Sequence, residues 1–321
     1  MPGNREIAHL SAPPPRTQIR TFTGFSHVLA RRARDMSAPL EECAGWLNGT
    51  LDTWSDPSES RRHASQPGGF TSMAKQDKVL YELIFSKIQG RRGTYVDVAA
   101  NHYKRISNTY FYDTCLRWRG LCVEPNHIYW EGLASHRSCE LVRTCASDRA
   151  VELDLMLPPV QWLGGMGGVV PKEKEHPILK WYFRRNRTTG RLDKTKPSGN
   201  DVWKLYPPSA WNSTTRRMKC VRVGDELARL GFEHVDFMSL DVEGHEAAVL
   251  RGIDFSRFRI DHILCENNCK GILEPLGYTP INLGSGEDER LWSRPGLVPL
   301  VPPCRKNIKA RSGPCRQVNW Q

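Results

Sequence analysis

The sequence predicts an α/β fold of alternating strands and helices, and three observations carry that prediction. Short apolar runs at 95–98, 121–123 and 235–242 alternate with stretches whose apolar residues recur at helical spacing. Two of these runs stop at acids, Glu124 and Asp241, where the carboxyl ends of strands in an open sheet line a ligand crevice. The first run passes into Ala99-Ala100-Asn101, a turn with little side-chain bulk, before a helix begins.

Taken in order, Ser72 is placed to cap a helix through Gln89 with Val79, Leu80, Leu83, Ile84 and Ile88 on one face. After the first strand, Ser107-Asn108-Thr109 supplies capping groups for a helix bearing Tyr110, Phe111, Cys115, Leu116 and Trp118, which Gly120 closes. A helix with Ile128, Tyr129, Trp130 and Leu133 leads to a strand at 141–146 that ends in Ser147-Asp148, and 151–157 alternates as a further strand. Beyond the residue 220 region come a short helix at 224–230, the buried strand at 235–242, a helix at 246–251 and a strand at 262–268. A helix near 272–276 and a terminal hairpin of 278–283 with 290–293 complete the pattern.

Composition bounds what the chain can be. With 321 residues, 39% of them hydrophobic, it can bury a sizeable core, and no apolar run approaches the roughly 20 residues of a membrane span. The net charge is +11, and residues 158–219 hold thirteen Lys or Arg against four acids, so most of the excess sits in one segment. That segment reads either as a solvated basic insertion or as a lid over an anionic substrate; its tryptophans at 181, 203 and 211 favour an ordered flap over a tail. Aromatics among arginines also suit single-stranded nucleic acid, but no nucleic-acid module accompanies them, so a nucleic-acid partner is not expected. No Cys-x-x-Cys pair occurs among the ten cysteines, which argues against zinc, and in the absence of an export signal they are expected to be mostly reduced. Cys304 and Cys315 are the pair that an oxidising compartment would join. Residues 1–70 read as a flexible basic leader whose Arg, Ser and Thr content resembles a transit peptide, while Glu6 and the prolines at 13–15 do not. The expected location is accordingly cytoplasmic or organellar. Residues 71–300 form the main domain around the 158–219 insertion, and 301–321 form a basic tail.

The chemistry concentrates at two strand ends. A carboxylate such as Glu124 at the end of a second strand can accept both hydroxyls of a ribose. No glycine lies between Thr94 and Trp118, so the turn lacks the backbone approach that a pyrophosphate needs and suits S-adenosylmethionine better than a dinucleotide. At the second strand end, Asp241, Glu243, His245 and Glu246 fall within six residues, where Glu243 and Glu246 could equally serve to favour a helix N-terminus. Asp241 by position, or His245 by its near-neutral pKa, is a candidate general base. Asp241 and Glu243 alone make an incomplete cation site, so no metal is assigned.

Several blocks in this order resemble the FkbM-type family of S-adenosylmethionine-dependent methyltransferases: YVDVAAN at 95–101, SNTY at 107–110, WRGLCVEPN at 118–126, ASD at 146–148, FMSLDVEGHE at 237–246 and RIDHILCENN at 259–268. The resemblance spans about 94–293 and implies a class I, Rossmann-like methyltransferase fold, a mixed seven-stranded sheet with helices on both faces and an antiparallel last strand. It implies S-adenosylmethionine as cofactor, and O-methylation of a small-molecule or glycan hydroxyl that the basic segment allows to be anionic. By position it maps Asp97, Ala99 and Asn101, followed by Ser107 and Asn108, to the first cofactor loop, Glu124 to the ribose, Ser147 and Asp148 to the adenine side, and Asp241 to the methyl-transfer centre beside Glu243 and His245. Where family members often carry Gly-Ala-Asn-Asp, this chain has Ala99-Ala100-Asn101-His102, which narrows the loop and removes an acid that could face the sulfonium. A nucleotide-dependent oxidoreductase and a silent binding module on the same fold are the competing readings.

Overall fold

The computed structural model describes Cys43 and residues 70–297, apart from 74, 89, 158–166, 171–182, 186–191, 198–214, 267, 282 and 284–289. Its centre is a seven-stranded sheet of β1 (Thr94–Val98), β2 (Arg119–Val123), β3 (Glu140–Val142), β9 (His234–Leu240), β10 (Arg259–Cys265), β11 (Thr279–Ile281) and β12 (Arg290–Ser293). They lie in the order β11-β12-β10-β9-β1-β2-β3. Neighbours from β3 to β10 pair in parallel, while β12 runs antiparallel to both β10 and β11. The direction of the chain therefore reverses between β2–β3 on one side of β1 and β9–β10 on the other, which opens a crevice at the strands' carboxyl ends. This is the mixed α/β sheet that the sequence predicts.

Strand alternation divides the core into two layers. Val96, Val98, Leu121, Val123, Met238 and Ile263 face one cluster, covered by α4 (Val223–Leu230) and α5 (Glu246–Arg251). Tyr95, Cys122, Phe237 and Leu264, one residue out of step, face the other, covered by α1 (Gln76–Leu83), α2 (Tyr110–Thr114) and α3 (Trp130–His136). Each fully buried Leu or Phe in these layers contributes about 1.5–3 kcal/mol. A short α6 (Lys270–Leu273) precedes the terminal hairpin.

Several local expectations shift. The helix expected from Ser72 to Gln89 is α1 followed by a 3-10 turn at Phe85–Lys87. Ser72 sits outside it, and its Oγ accepts from Asp77 N while Asp77 accepts from Thr71 and Ser72 N–H groups. Gly120 does not close a helix. It lies inside β2, where a Cβ would stand 2.1 Å from the Tyr95 ring, so the glycine makes room for a core aromatic.

The basic insertion leaves and returns through one stem. β4 (Glu152–Met156) pairs antiparallel with β8 (Thr215–Lys219), from Glu152 against Lys219 to Met156 against Thr215, and β5 (Gly168–Val169) adds a third strand. Inside the insertion, β6 (Phe183–Arg185) and β7 (Leu192–Pro197) pair with each other. Trp181, Trp203 and Trp211 lie outside the described residues, as do the leader apart from Cys43 and Phe70, and the tail.

The expectation of reduced thiols is overturned. Cys43 bonds Cys115, Cys122 bonds Cys139, Cys145 bonds Cys220 and Cys265 bonds Cys269, with Cα separations of 5.4, 5.7, 4.5 and 6.5 Å. All four lie in the range that a disulfide spans. The pairing depends on which strands become neighbours: Cys122 is on β2 and Cys139 directly before β3, and Cys145 meets Cys220 at the insertion stem. Cys304 and Cys315 lie outside the described residues.

At the sheet's other edge, where the parallel strands begin, Asp236 and Asp261 are 2% and 6% exposed and fully engaged. Arg91 donates two bonds to Asp236, and Thr94 adds its N–H at 2.8 Å and its hydroxyl at 3.0 Å. Asp261 accepts from Arg259 at 2.8 and 3.1 Å, from Arg294 at 3.2 Å, and shares a bond with His234 Nε2 at 2.7 Å.

Candidate functional site

The crevice is built from the loops that follow β1, β2, β9 and β10. Ala99 and Ala100 N–H groups donate to Val123 O, which lays the turn after β1 across the end of β2. Ala99 at φ 64° and Asn101 at φ 56° adopt the left-handed conformation without being glycine, at about 1–2 kcal/mol each, so the surrounding bonds must hold the turn. One such bond runs from Asn101 N–H to Glu124 Oε2 at 2.7 Å, while Glu124 Oε1 accepts from Asn126 N–H at 2.6 Å. Glu124 is 3% exposed, and burial pushes its carboxyl up to about 7 despite those two donors. His102 uses Nδ1 to accept from Lys104 and Arg105 N–H groups and so completes the turn.

Asp97 is drawn inward. Thr109 donates its hydroxyl to Asp97 Oδ2, and the buried Arg137 guanidinium lies 3.9 Å away. Arg137 also bonds Asp113, Tyr95, Thr109 and Ser107, a network that no sequence pattern announced. Burial raises the Asp97 pKa against the pull of Arg137. Ser107 Oγ accepts from Thr109 and Tyr110 N–H groups and so caps α2, while Asn108 Nδ2 donates to Ser239 on β9 at 3.2 Å.

Ser147, Asp148 and His245 come together. Ser147 Oγ shares a 3.0 Å hydrogen bond with His245 Nε2 and lies 3.3 Å from Asp148 Oδ1. Burial lowers the His245 pKa, opposed by Asp148 and aided by Arg251, which favours the neutral imidazole. Gly252 permits this contact, since a Cβ there would stand 2.4 Å from Ser147 O.

At the end of β9, Asp241 N–H reaches Val98 O at 3.4 Å, which sets Asp241 beside the first loop. Glu243 at φ 55° and Gly244 at φ 100° then turn the chain back, and Glu246 Oε1 accepts from Gly244 and Val242 N–H groups at 2.9 and 3.2 Å. The acids grouped here are Asp241, Glu246 and Glu266, whose ligand oxygens lie within 4.8 Å of one another; Glu243 is not among them. Glu266 is the residue that the sequence reading passed over, although it is an acid at the end of a strand, just as Glu124 is. A pocket of about 390 Å³ is lined by His102, Tyr103, Ile128, Tyr129, Ser135 and His136, among others. Burial, and then the Glu124 charge, push the Tyr129 hydroxyl above its ordinary pKa.

Residues 97–268, more than half of the chain, match the methyltransferase FkbM domain, a span that begins on β1, ends just past β10 and contains Asp97, Glu124, Asp241, Glu246 and Glu266. No curated protein and no solved structure matches the chain.

Proposed function

The chain belongs to the FkbM methyltransferase family, and on that premise we propose that it uses S-adenosylmethionine to methylate a hydroxyl oxygen of a small molecule or sugar. The observation that carries the cofactor reading is Glu124. A carboxylate offers about four lone-pair sites, and backbone donors take two of those on Glu124, so two remain for the paired hydroxyls of a ribose. The glycine-free turn over it argues against a pyrophosphate. When bound, the cofactor supplies an electrophilic methyl group on a sulfonium.

The protein's own part is to orient the acceptor and take its proton. His245 spends Nε2 on Ser147 and is partly buried, whereas Asp241 sits at the strand end next to the first loop. Asp241 is therefore the favoured base or orienting group. Ser147 and Asp148 are assigned to the adenine side, Asn101 to the ribose side, and Asp97, Ser107 and Asn108 to holding the loop in shape. The 158–219 insertion acts as a substrate lid hung on the β4–β8 stem, and its positive charge fits an anionic acceptor. Four disulfides favour folding in an oxidising compartment over the cytoplasm.

Calorimetry with S-adenosylhomocysteine tests the core of this reading. Binding is expected, weakened about 10-fold or more in Glu124→Ala, because each hydrogen bond to a charged group is worth about 1.5–3 kcal/mol. Tighter binding of NAD, or parent-like affinity in that variant, would overturn it.

A further inference from the structure

The Asp241, Glu246 and Glu266 group is more than a cluster of acids. Glu246 is 0% exposed. Its Oε1 serves the two loop N–H groups, but its Oε2 is shut off from solvent and has no hydrogen-bond partner among the described residues. Glu266 Oε2 is in the same condition. A proton on Glu246 Oε2 would find no hydrogen-bond partner among the described residues. A cation between the three carboxylates resolves it for Glu246 and Glu266, because an oxygen that bonds to none of its neighbours can still share a metal with them.

We propose that Asp241, Glu246 and Glu266 hold one divalent cation of the hard, oxygen-seeking class, Mg²⁺, Mn²⁺ or Ca²⁺. Oxygens on opposite sides of such an ion stand about 4.0–4.2 Å apart for Mg²⁺ and about 4.6–5.2 Å for Ca²⁺, and adjacent ones stand closer. Mutual separations within 4.8 Å therefore suit three ligands on one ion. No thiol or imidazole belongs to the set, which disfavours zinc and copper. The loop is shaped for this purpose: the left-handed Glu243-Gly244 turn carries Glu246 back over the end of β9, so that residues five apart in sequence meet an acid from the next strand.

Three protein ligands leave further positions on the ion open, and Asp241 sets it next to the first loop. An acceptor hydroxyl that occupies an open position becomes more acidic; its O–H bond breaks, the proton passes to water and the electron pair stays on oxygen, so that with the ion bound Asp241 serves as the orienting ligand and not as the base. This role for the ion rests on the methyl-transfer reading, but its binding does not.

The test uses the full chain with no cofactor present. Titration with Mn²⁺, followed by the loss of the free-ion electron paramagnetic resonance signal, should show one tight equivalent that Mg²⁺ or Ca²⁺ displaces. Glu246→Gln keeps an oxygen for the Gly244 N–H, and in combination with Glu266→Gln it should weaken Mn²⁺ at least 10-fold. Glu266→Gln alone, at a half-buried position, should do the same if the double variant does not fold. Absence of a stoichiometric Mn²⁺ site up to millimolar ion, or parent-like binding in a folded Glu266→Gln variant, would overturn the proposal. Either result leaves the S-adenosylhomocysteine measurement untouched, and a failure of that measurement leaves this one standing.

Discussion

β9 and β10 carry a group of acids at each end, and the two groups are balanced in opposite ways. At the amino-terminal end, Asp236 and Asp261 are met by Arg91, Arg259 and Arg294, with His234 between them. At the carboxyl end, Glu246 and Glu266 each keep one buried oxygen without a hydrogen bond among the described residues. Removing a carboxylate from water is costly, so the charge must be met by something. The first group meets it within the chain and becomes part of the scaffold. In the cation proposal the second leaves it for a ligand, so the contrast separates the scaffold end of these strands from the proposed site.

The largest expected effect is at the ligand end. Asp241→Asn keeps shape but loses charge, and the single-turnover methyl-transfer rate should fall by about 10²–10⁴ with little change in fold stability. Parent-like turnover would erase the contrast. At the scaffold end, Asp236→Ala strips the Thr94 N–H and Arg91 of their acceptor. Chemical denaturation should show a loss of about 3–4 kcal/mol, while Mn²⁺ binding to the refolded protein stays as in the parent.

Glu124 offers a third comparison, because its carboxyl is raised from 4.5 to about 7 in the fold. The native state then binds more protons than the unfolded chain between those values, so this group's contribution to stability falls as pH rises through that window. Between pH 5 and 8 the difference should amount to about 2–3 kcal/mol, and Glu124→Gln should flatten it in urea titrations at the two pH values. S-adenosylhomocysteine affinity should move the other way, rising with pH as the carboxylate becomes able to accept both hydroxyls. The smallest effect is Glu266→Gln in the presence of chelator, where relief of like-charge repulsion should stabilise the fold by about 1 kcal/mol. With millimolar Mn²⁺ the parent should become the more stable of the two, as thermal melts would record.

Much of the scaffold was legible because it rests on local pattern. Alternation in 95–98 and 121–123 placed β1 and β2, the helix at 246–251 matches α5, and the 278–283 and 290–293 runs became the β11–β12 hairpin. Gly120 was misread because a glycine near a helix end usually stops the helix, and only the packed sheet shows the Tyr95 ring that needs the space. Glu266 was overlooked because nothing within its own strand says that it will stand beside Asp241.

By itself, then, the sequence determined the succession of strands and helices, the acids at the strand ends and the family, since periodicity of two or 3.6 and a short motif are properties of neighbouring residues. The tertiary structure alone decided which distant groups meet. Strand order put β9 between β1 and β10, and so joined Asp241 and Glu246 to Glu266. It set Cys122 against Cys139 and Cys145 against Cys220, and it closed Arg137 over Asp113 and Asp97. Contacts of that kind depend on where separate segments pack against the sheet, information that no single stretch of chain contains.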